Sequence, residues 1–111
     1  MLDVSLSSVD GKAHIIAEGE LDLATAPLLR ARLQAAVREG KDVVADLRGV
    51  SFMDSTGLQV LMQIDDASSQ DDFRWTILAS GAVMRVVELA VLEDRLPVRR
   101  PGEADGAAQS P

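Results

Sequence analysis

Asp42-Val43-Val44-Ala45-Asp46-Leu47-Arg48-Gly49-Val50-Ser51-Phe52-Met53-Asp54-Ser55-Thr56-Gly57-Leu58-Gln59-Val60-Leu61-Met62-Gln63-Ile64 is the stretch that decides the fold. Val43 to Leu47 is a short apolar run of the kind a buried strand needs, and the later residues have helical spacing. Gly57, Val60, Leu61 and Ile64 fall at i, i+3, i+4 and i+7, one face of a helix that can pack on that strand. Asp54-Ser55-Thr56-Gly57 lies between. Asp, Ser and Thr side chains accept hydrogen bonds from the free amides of a first helical turn, so a helix is expected to start here and run from about Ser55 to Ala67.

Two readings of this junction stand side by side. In one, Asp54, Ser55 and Thr56 are only a helix cap. In the other, Ser55 is a hydroxyl displayed at the positive end of a helix, where exposed amides and aligned peptide dipoles tolerate an added phosphate. Thr56 is open between cap, second acceptor and spectator. Leu58 and Met62, four apart beside the core stripe, either widen that stripe or form the apolar centre of a partner site.

Working outward, the chain is read as one domain over residues 1–100 with a disordered tail over 101–111. Asp10-Gly11 is a turn signal between a β-like run at Val4 and Leu6 and a second from His14 to Ala17, an antiparallel hairpin. His14 reads as an ordinary strand residue with no acid or second histidine beside it. Gly19-Glu20-Leu21-Asp22 leaves that strand, and Asp22 or Thr25 can cap a helix with Pro27 in its first turn. Leu29, Leu33 and Ala36 or Val37 form its apolar stripe, and Gly40 stops it. Past the central stretch, Asp65, Asp66, Asp71 and Asp72 surround Ser68, Ser69 and Gln70 and read as a solvated acidic loop. A strand is expected from Phe73 to Leu78, and then a helix carrying Val83, Val86, Val87 and Ala90. Pro97 confines a last strand, Arg95 to Val98, to a sheet edge. Pro101 to Pro111 has no large apolar residue to offset its ordering entropy. Strands alternating with helices make the class α/β.

Composition excludes several functions. The formal charge of −7 repels phosphate backbones, and 3% aromatic residues leave few stacking platforms, so no direct nucleic-acid partner is expected. Without cysteine and with one histidine there is no thiolate or histidine-based metal site and no thiol nucleophile, and no cofactor is expected. No run approaches the ~20 apolar residues of a membrane span, and nothing reads as a signal peptide; the expected setting is cytoplasmic, with no membrane partner. Acyl chemistry at Ser55 would need a base near its hydroxyl, yet His14 is far away in sequence and the Gly-x-Ser-x-Gly elbow is absent. The chain is therefore not read as an enzyme.

Phe52-Met53-Asp54-Ser55-Thr56-Gly57-Leu58, after a strand ending in Asp46-Leu47 and with Gly19-Glu20-Leu21-Asp22 upstream, resembles the STAS domain of bacterial anti-sigma factor antagonists across about residues 4 to 98. The resemblance implies a mixed four- to five-stranded sheet with helices packed mainly on one face. It implies a partner, an anti-sigma factor of the ATP-binding serine kinase type, captured when the chain is unphosphorylated and released when Ser55 is phosphorylated, so that sigma-factor-dependent transcription is regulated. A serine phosphatase would reset Ser55. Asp22, Asp54, Thr56, Gly57 and Leu58 are the expected partner-binding residues: Asp22 and Asp54 as a polar rim, Gly57 for close backbone approach, Leu58 as an apolar anchor. The alternative is a non-enzymatic STAS subunit of a transporter or stress-signalling assembly. Family members usually end in a further amphipathic helix, which this sequence lacks.

Overall fold

The computed structural model describes residues 1–102; most of the tail expected over 101–111 lies outside the described residues. The elements are β1 (Leu2–Val9), β2 (Lys12–Leu21), α1 (Ala26–Arg38), β3 (Val43–Met53), α2 (Ser55–Asp71), β4 (Trp75–Ala79), α3 (Gly81–Leu89) and β5 (Val98–Arg99). They build one five-stranded sheet in the order β1-β2-β3-β4-β5. The first pair is antiparallel and the others are parallel. Asp10 (φ 54°) and Gly11 (φ 78°) supply the two positive φ angles that a tight type I′ hairpin turn needs.

Parallel neighbours joined by helices follow the right-handed crossover rule, which places successive helices on the same side of the sheet. Burial along the strands agrees. Ala13, Ile15 and Ala17 of β2, Val43, Ala45 and Leu47 of β3 and Ile77 and Ala79 of β4 are buried, while the alternate His14, Ile16, Val44, Asp46, Thr76 and Leu78 are half-buried. Leu29, Leu33 and Ala36 of α1, Val60, Leu61 and Ile64 of α2 and Val83, Met84 and Val87 of α3 complete the core. No polar or charged residue is buried among the described residues.

Several expectations are corrected. β3 continues to Met53 instead of ending at Leu47, because two register shifts against β2, at Ile16/Glu18 and at Gly19/Glu20, give β3 extra residues and let it run on past Arg48 and Gly49. The acidic segment 65–71 is no loop: it is the last part of α2, held by buried Ile64, by the Ser68 hydroxyl donating to the Asp65 carbonyl (2.7 Å), and by Trp75 Nε1 donating to Asp65 Oδ1 (3.0 Å). The helix ends at Asp72 in a left-handed conformation (φ 57°). The pKa of Asp46 is lowered, first by the Arg48 side chain, whose Nε and Nη2 donate to its carboxylate at 2.9 and 2.8 Å, and least by His14, which therefore does have an acid near it. In α3 it is Met84, not Ala90, that joins the core. β5 lies at Val98–Arg99, later than expected, yet at the sheet edge as Pro97 required. No helix follows it among the described residues, and none of the helices is long and apolar enough to cross a membrane.

One strained residue closes α3. The Leu92 amide bonds the Val87 carbonyl (2.9 Å) and the Val91 amide bonds Glu88 (3.0 Å), a Schellman pattern that puts Val91 where glycine is preferred, at φ 58°. A β-branched residue there is costly, and Val91 is 76% exposed, so little packing compensates. Val91→Gly should stabilise the fold by up to about 1 kcal/mol, read as a raised urea midpoint at unchanged slope.

Candidate functional site

The strongest cluster of functional side chains sits where β2 and β3 end side by side. Leu21 pairs with Met53, and the Asp54 amide donates to the Leu21 carbonyl (3.2 Å), so the Gly19–Asp22 and Asp54–Gly57 segments converge. Asp54 is the N-cap of α2: its backbone is extended (φ −110°, ψ −170°), and Oδ1 accepts from the Thr56 amide (2.9 Å), the Gly57 amide (3.4 Å) and the Thr56 hydroxyl. The Thr56 hydroxyl is thus engaged in the cap. Ser55 is exposed, and none of the cap hydrogen bonds uses its hydroxyl.

Gly57 is buried because α2 starts hard against the strand ends. A Cβ there would lie 2.7 Å from Met53 Cγ and 2.8 Å from Leu21 Cγ. Asp22 organises the preceding loop. Its Oδ1 accepts from the amides of Ala24 (3.0 Å) and Thr25 (3.1 Å), while the Thr25 hydroxyl accepts from the Asp22 amide (2.9 Å) and donates to the Glu20 carbonyl (2.8 Å). Thr25 occupies the N-cap position of α1, but its side chain makes no cap bond to that helix; the Asp22 carboxylate instead holds the turn before it, and the Asp22 main-chain carbonyl accepts from the Ala26 amide at 2.8 Å.

The Thr56 hydroxyl, followed by the amides of Thr56, Gly57 and Leu23, holds the Asp54 carboxyl below its ordinary pKa of 3.8 against a partly opposing desolvation. A lowered folded-state pKa gives stability that is present above the ordinary value and is lost as pH falls through the folded value. Asn keeps a capping oxygen without the charge. Asp54→Asn should therefore be less stable than the parent at neutral pH, and the gap should narrow as pH drops below 3.8, as denaturant midpoints at several pH values would show.

Leu58 is half-buried and packs against the core, so the structure assigns it both a core contact and a solvent-facing part. Two apolar neighbours escaped the sequence reading. Leu23, whose amide reaches the Asp54 carboxylate, is 75% exposed, and Phe52 is 49% exposed. The signal for Leu23 was a large apolar residue directly after a capping Asp; Phe52 was hidden by the register shifts. The two segments that converge beside Ser55 thus carry the exposed apolar residues Leu23 and Phe52, the half-buried Leu58 and the acids Asp22 and Asp54. Among the described residues no cluster of three or more acidic, His or Cys side chains is placed to hold a metal. The groove of about 300 Å³ between α1 and α2, lined by Gln34, Val37, Ile64, Ala67 and Asp71, belongs to the other end of α2.

Residues 8–101 match the STAS domain family. Over 106 residues the chain is 31% identical to the anti-sigma-B factor antagonist of Staphylococcus aureus, covering 94% of this chain and 98% of that one. Among solved structures, an anti-sigma factor antagonist from Mycobacterium paratuberculosis superposes with a TM-score of 0.85 at 26% identity, over 97% of this chain and 92% of that one. The antagonist SpoIIAA in its unphosphorylated form gives 0.75 at 20% identity, over 98% of each chain, and its phosphorylated form has also been solved.

Proposed function

Because the chain belongs to the STAS-domain family of anti-sigma factor antagonists, we propose that it captures an anti-sigma factor of the ATP-binding serine kinase type and is released when that kinase phosphorylates Ser55. The observation that carries the reading is the exposed Ser55 hydroxyl in the first turn of α2, set between an Asp54 and a Thr56 that are both committed to the cap. The solved phosphorylated form of a structural neighbour, SpoIIAA, supports it.

In the transfer, Ser55 Oγ attacks the γ-phosphorus of ATP bound to the partner. The Oγ–P bond forms, the bond to the β-phosphate oxygen breaks, ADP leaves, and the hydroxyl proton passes to a base on the kinase or to water. This chain contributes the nucleophilic oxygen and its placement, and is a phosphoryl acceptor and not a catalyst. The first-turn amides and helix dipole tolerate the new dianion within the fold. Against the partner the outcome differs. Phosphate adds about 1.5 to 2 negative charges on the residue next to Asp54, within the surface offered to the partner. Desolvating that charge, or setting it against acids on the partner, costs several kcal/mol, and each ~1.4 kcal/mol is tenfold in affinity. The switch needs no rearrangement of the fold. A serine phosphatase hydrolyses the phosphoserine, returning the hydroxyl and inorganic phosphate.

The test is to isolate the chain from its own cells, stressed and unstressed, map its phosphopeptides and identify what co-purifies. Phosphate on Ser55 that changes with stress, together with a kinase bound only to the unmodified form, is the expected result. A persistently unmodified Ser55 on a chain held in a membrane or scaffold complex would overturn it.

A further inference from the structure

Leu23 stands directly after Asp22, on the short turn between β2 and α1. The turn is fixed on both sides of it. The Asp22 carboxylate accepts from the amides of Ala24 and Thr25, the Ala26 amide donates to the Asp22 carbonyl, and the Thr25 hydroxyl ties the Asp22 amide to the Glu20 carbonyl. The Leu23 amide reaches the Asp54 carboxylate, so this turn and the first turn of α2 share one capping group. The Leu23 side chain has no such commitment. It is 75% exposed, whereas Leu58 is half-buried and gives part of its surface to the core. Single exposed leucines are common on protein surfaces and by themselves mean little. This one differs in where it stands and in how its backbone is held.

We propose that Leu23 is the apolar anchor of the contact with the anti-sigma factor, its side chain entering an apolar pocket on that partner. The inference rests on the capture proposed above and adds to it one residue and the chemistry of the partner surface that receives it. Distance supports the assignment. Asp54 is the residue before Ser55, so the path through its carboxylate keeps the Leu23 amide within about 12 Å of the Ser55 Cα. A kinase that delivers phosphate to Ser55 must sit over that residue, and a standard footprint of ~800 Å² per partner is a disc of about 16 Å radius, wide enough to take in Leu23. Preorganisation supports it too. A side chain on a hydrogen-bonded turn loses little further freedom when it docks, so more of its burial appears as affinity. The carboxylates of Asp22 and Asp54 are already engaged by main-chain amides, which leaves Leu23 as the large side chain that the turn offers to a partner.

The probe is the anti-sigma factor that co-purifies with the full chain, titrated by calorimetry against the parent, Leu23→Ala, Leu23→Met and Ser55→Asp. Leu23→Ala should lose about tenfold to a hundredfold in affinity, the scale set by burying a leucine side chain. The loss should be the same at low and high salt, because no charge changes. The melting temperature should stay that of the parent, because the side chain is exposed. Leu23→Met, apolar and of similar volume, should restore most of the affinity. With ATP, Leu23→Ala should raise KM for phosphorylation and leave kcat unchanged, the mark of a binding contact that takes no part in the transfer. A Leu23→Ala chain that binds like the parent while Ser55→Asp binds weakly would overturn the anchor and leave capture at Ser55 standing. A Leu23→Ala chain that loses melting temperature together with affinity would overturn it as well, since Leu23 would then serve the fold. Equal binding by the parent, Leu23→Ala and Ser55→Asp, or a chain that brings down no anti-sigma factor, would overturn the proposed capture and the anchor with it.

Discussion

Ser55→Asp should weaken capture of the anti-sigma factor by about tenfold or more, while Ser55→Ala should bind like the parent and no longer let go when ATP is supplied. The serine is exposed and outside the cap hydrogen bonds, so neither change touches the packing beneath it. A carboxylate in the first turn even suits the helix dipole, so the melting temperature of Ser55→Asp should be unchanged or slightly raised. The loss therefore falls on the contact. Aspartate carries one charge and lacks the tetrahedral bulk of a phosphate, so its effect is the smaller of the two. Titration calorimetry of each variant against the purified anti-sigma factor, with and without ATP, separates the cases. If both variants bind and release as the parent does, the contact surface lies elsewhere.

Gly57→Val should destabilise the fold by about 1–3 kcal/mol and weaken capture as well. The new Cβ would sit 2.7 Å from Met53 Cγ and within 2.9 Å of two Leu21 atoms. Leu21 is 0% and Met53 4% exposed, so neither can swing into solvent to make room. The first turn of α2 must lift from the strand ends. Leu21 precedes Asp22 and Met53 precedes Asp54, so the same displacement separates the two segments that frame Ser55. A thermal midpoint lowered by roughly 4–8 °C per kcal/mol is expected. Reduced capture should persist well below that midpoint, where the variant is folded. A variant that melts and binds like its parent would show that the close approach is relaxed at no cost.

The start of α2 was legible because Asp54 does locally what its chemistry favours, and its partners are two and three residues away. The same holds for the Asp10-Gly11 hairpin and for the stripes of α1 and α2. What escaped depends on partners distant in sequence. Past Leu47 the buried residues of β3 are Val50 and Met53, three apart, which is no strand period. The register shifts against β2 create that spacing, and they bring Gly49 so close to Glu18 that a Cβ would lie 2.7 Å from Glu18 Cγ. Nothing in residues 48–53 alone reveals Glu18. The last turns of α2 looked like a loop because their solvated face is acidic; the groups that keep them helical include Trp75, one strand later. Convergence of Asp22 and Asp54 rests on the pairing of Leu21 with Met53, which neither segment reveals alone.

Trp75 has an optical consequence. The sequence has one tryptophan and no tyrosine, so ultraviolet emission from this protein comes almost wholly from one indole. That indole is 7% exposed and its N–H is tied to Asp65 on α2. Asp65 lies ten residues along the helix from Ser55, about 15 Å at the usual rise. The chain therefore carries a built-in lamp tied partway along a rod whose first turn holds the serine. Emission that keeps its wavelength and intensity when Ser55 acquires phosphate would mark the event as confined to surface charge, whereas a shifted spectrum would mean that the rod itself had moved.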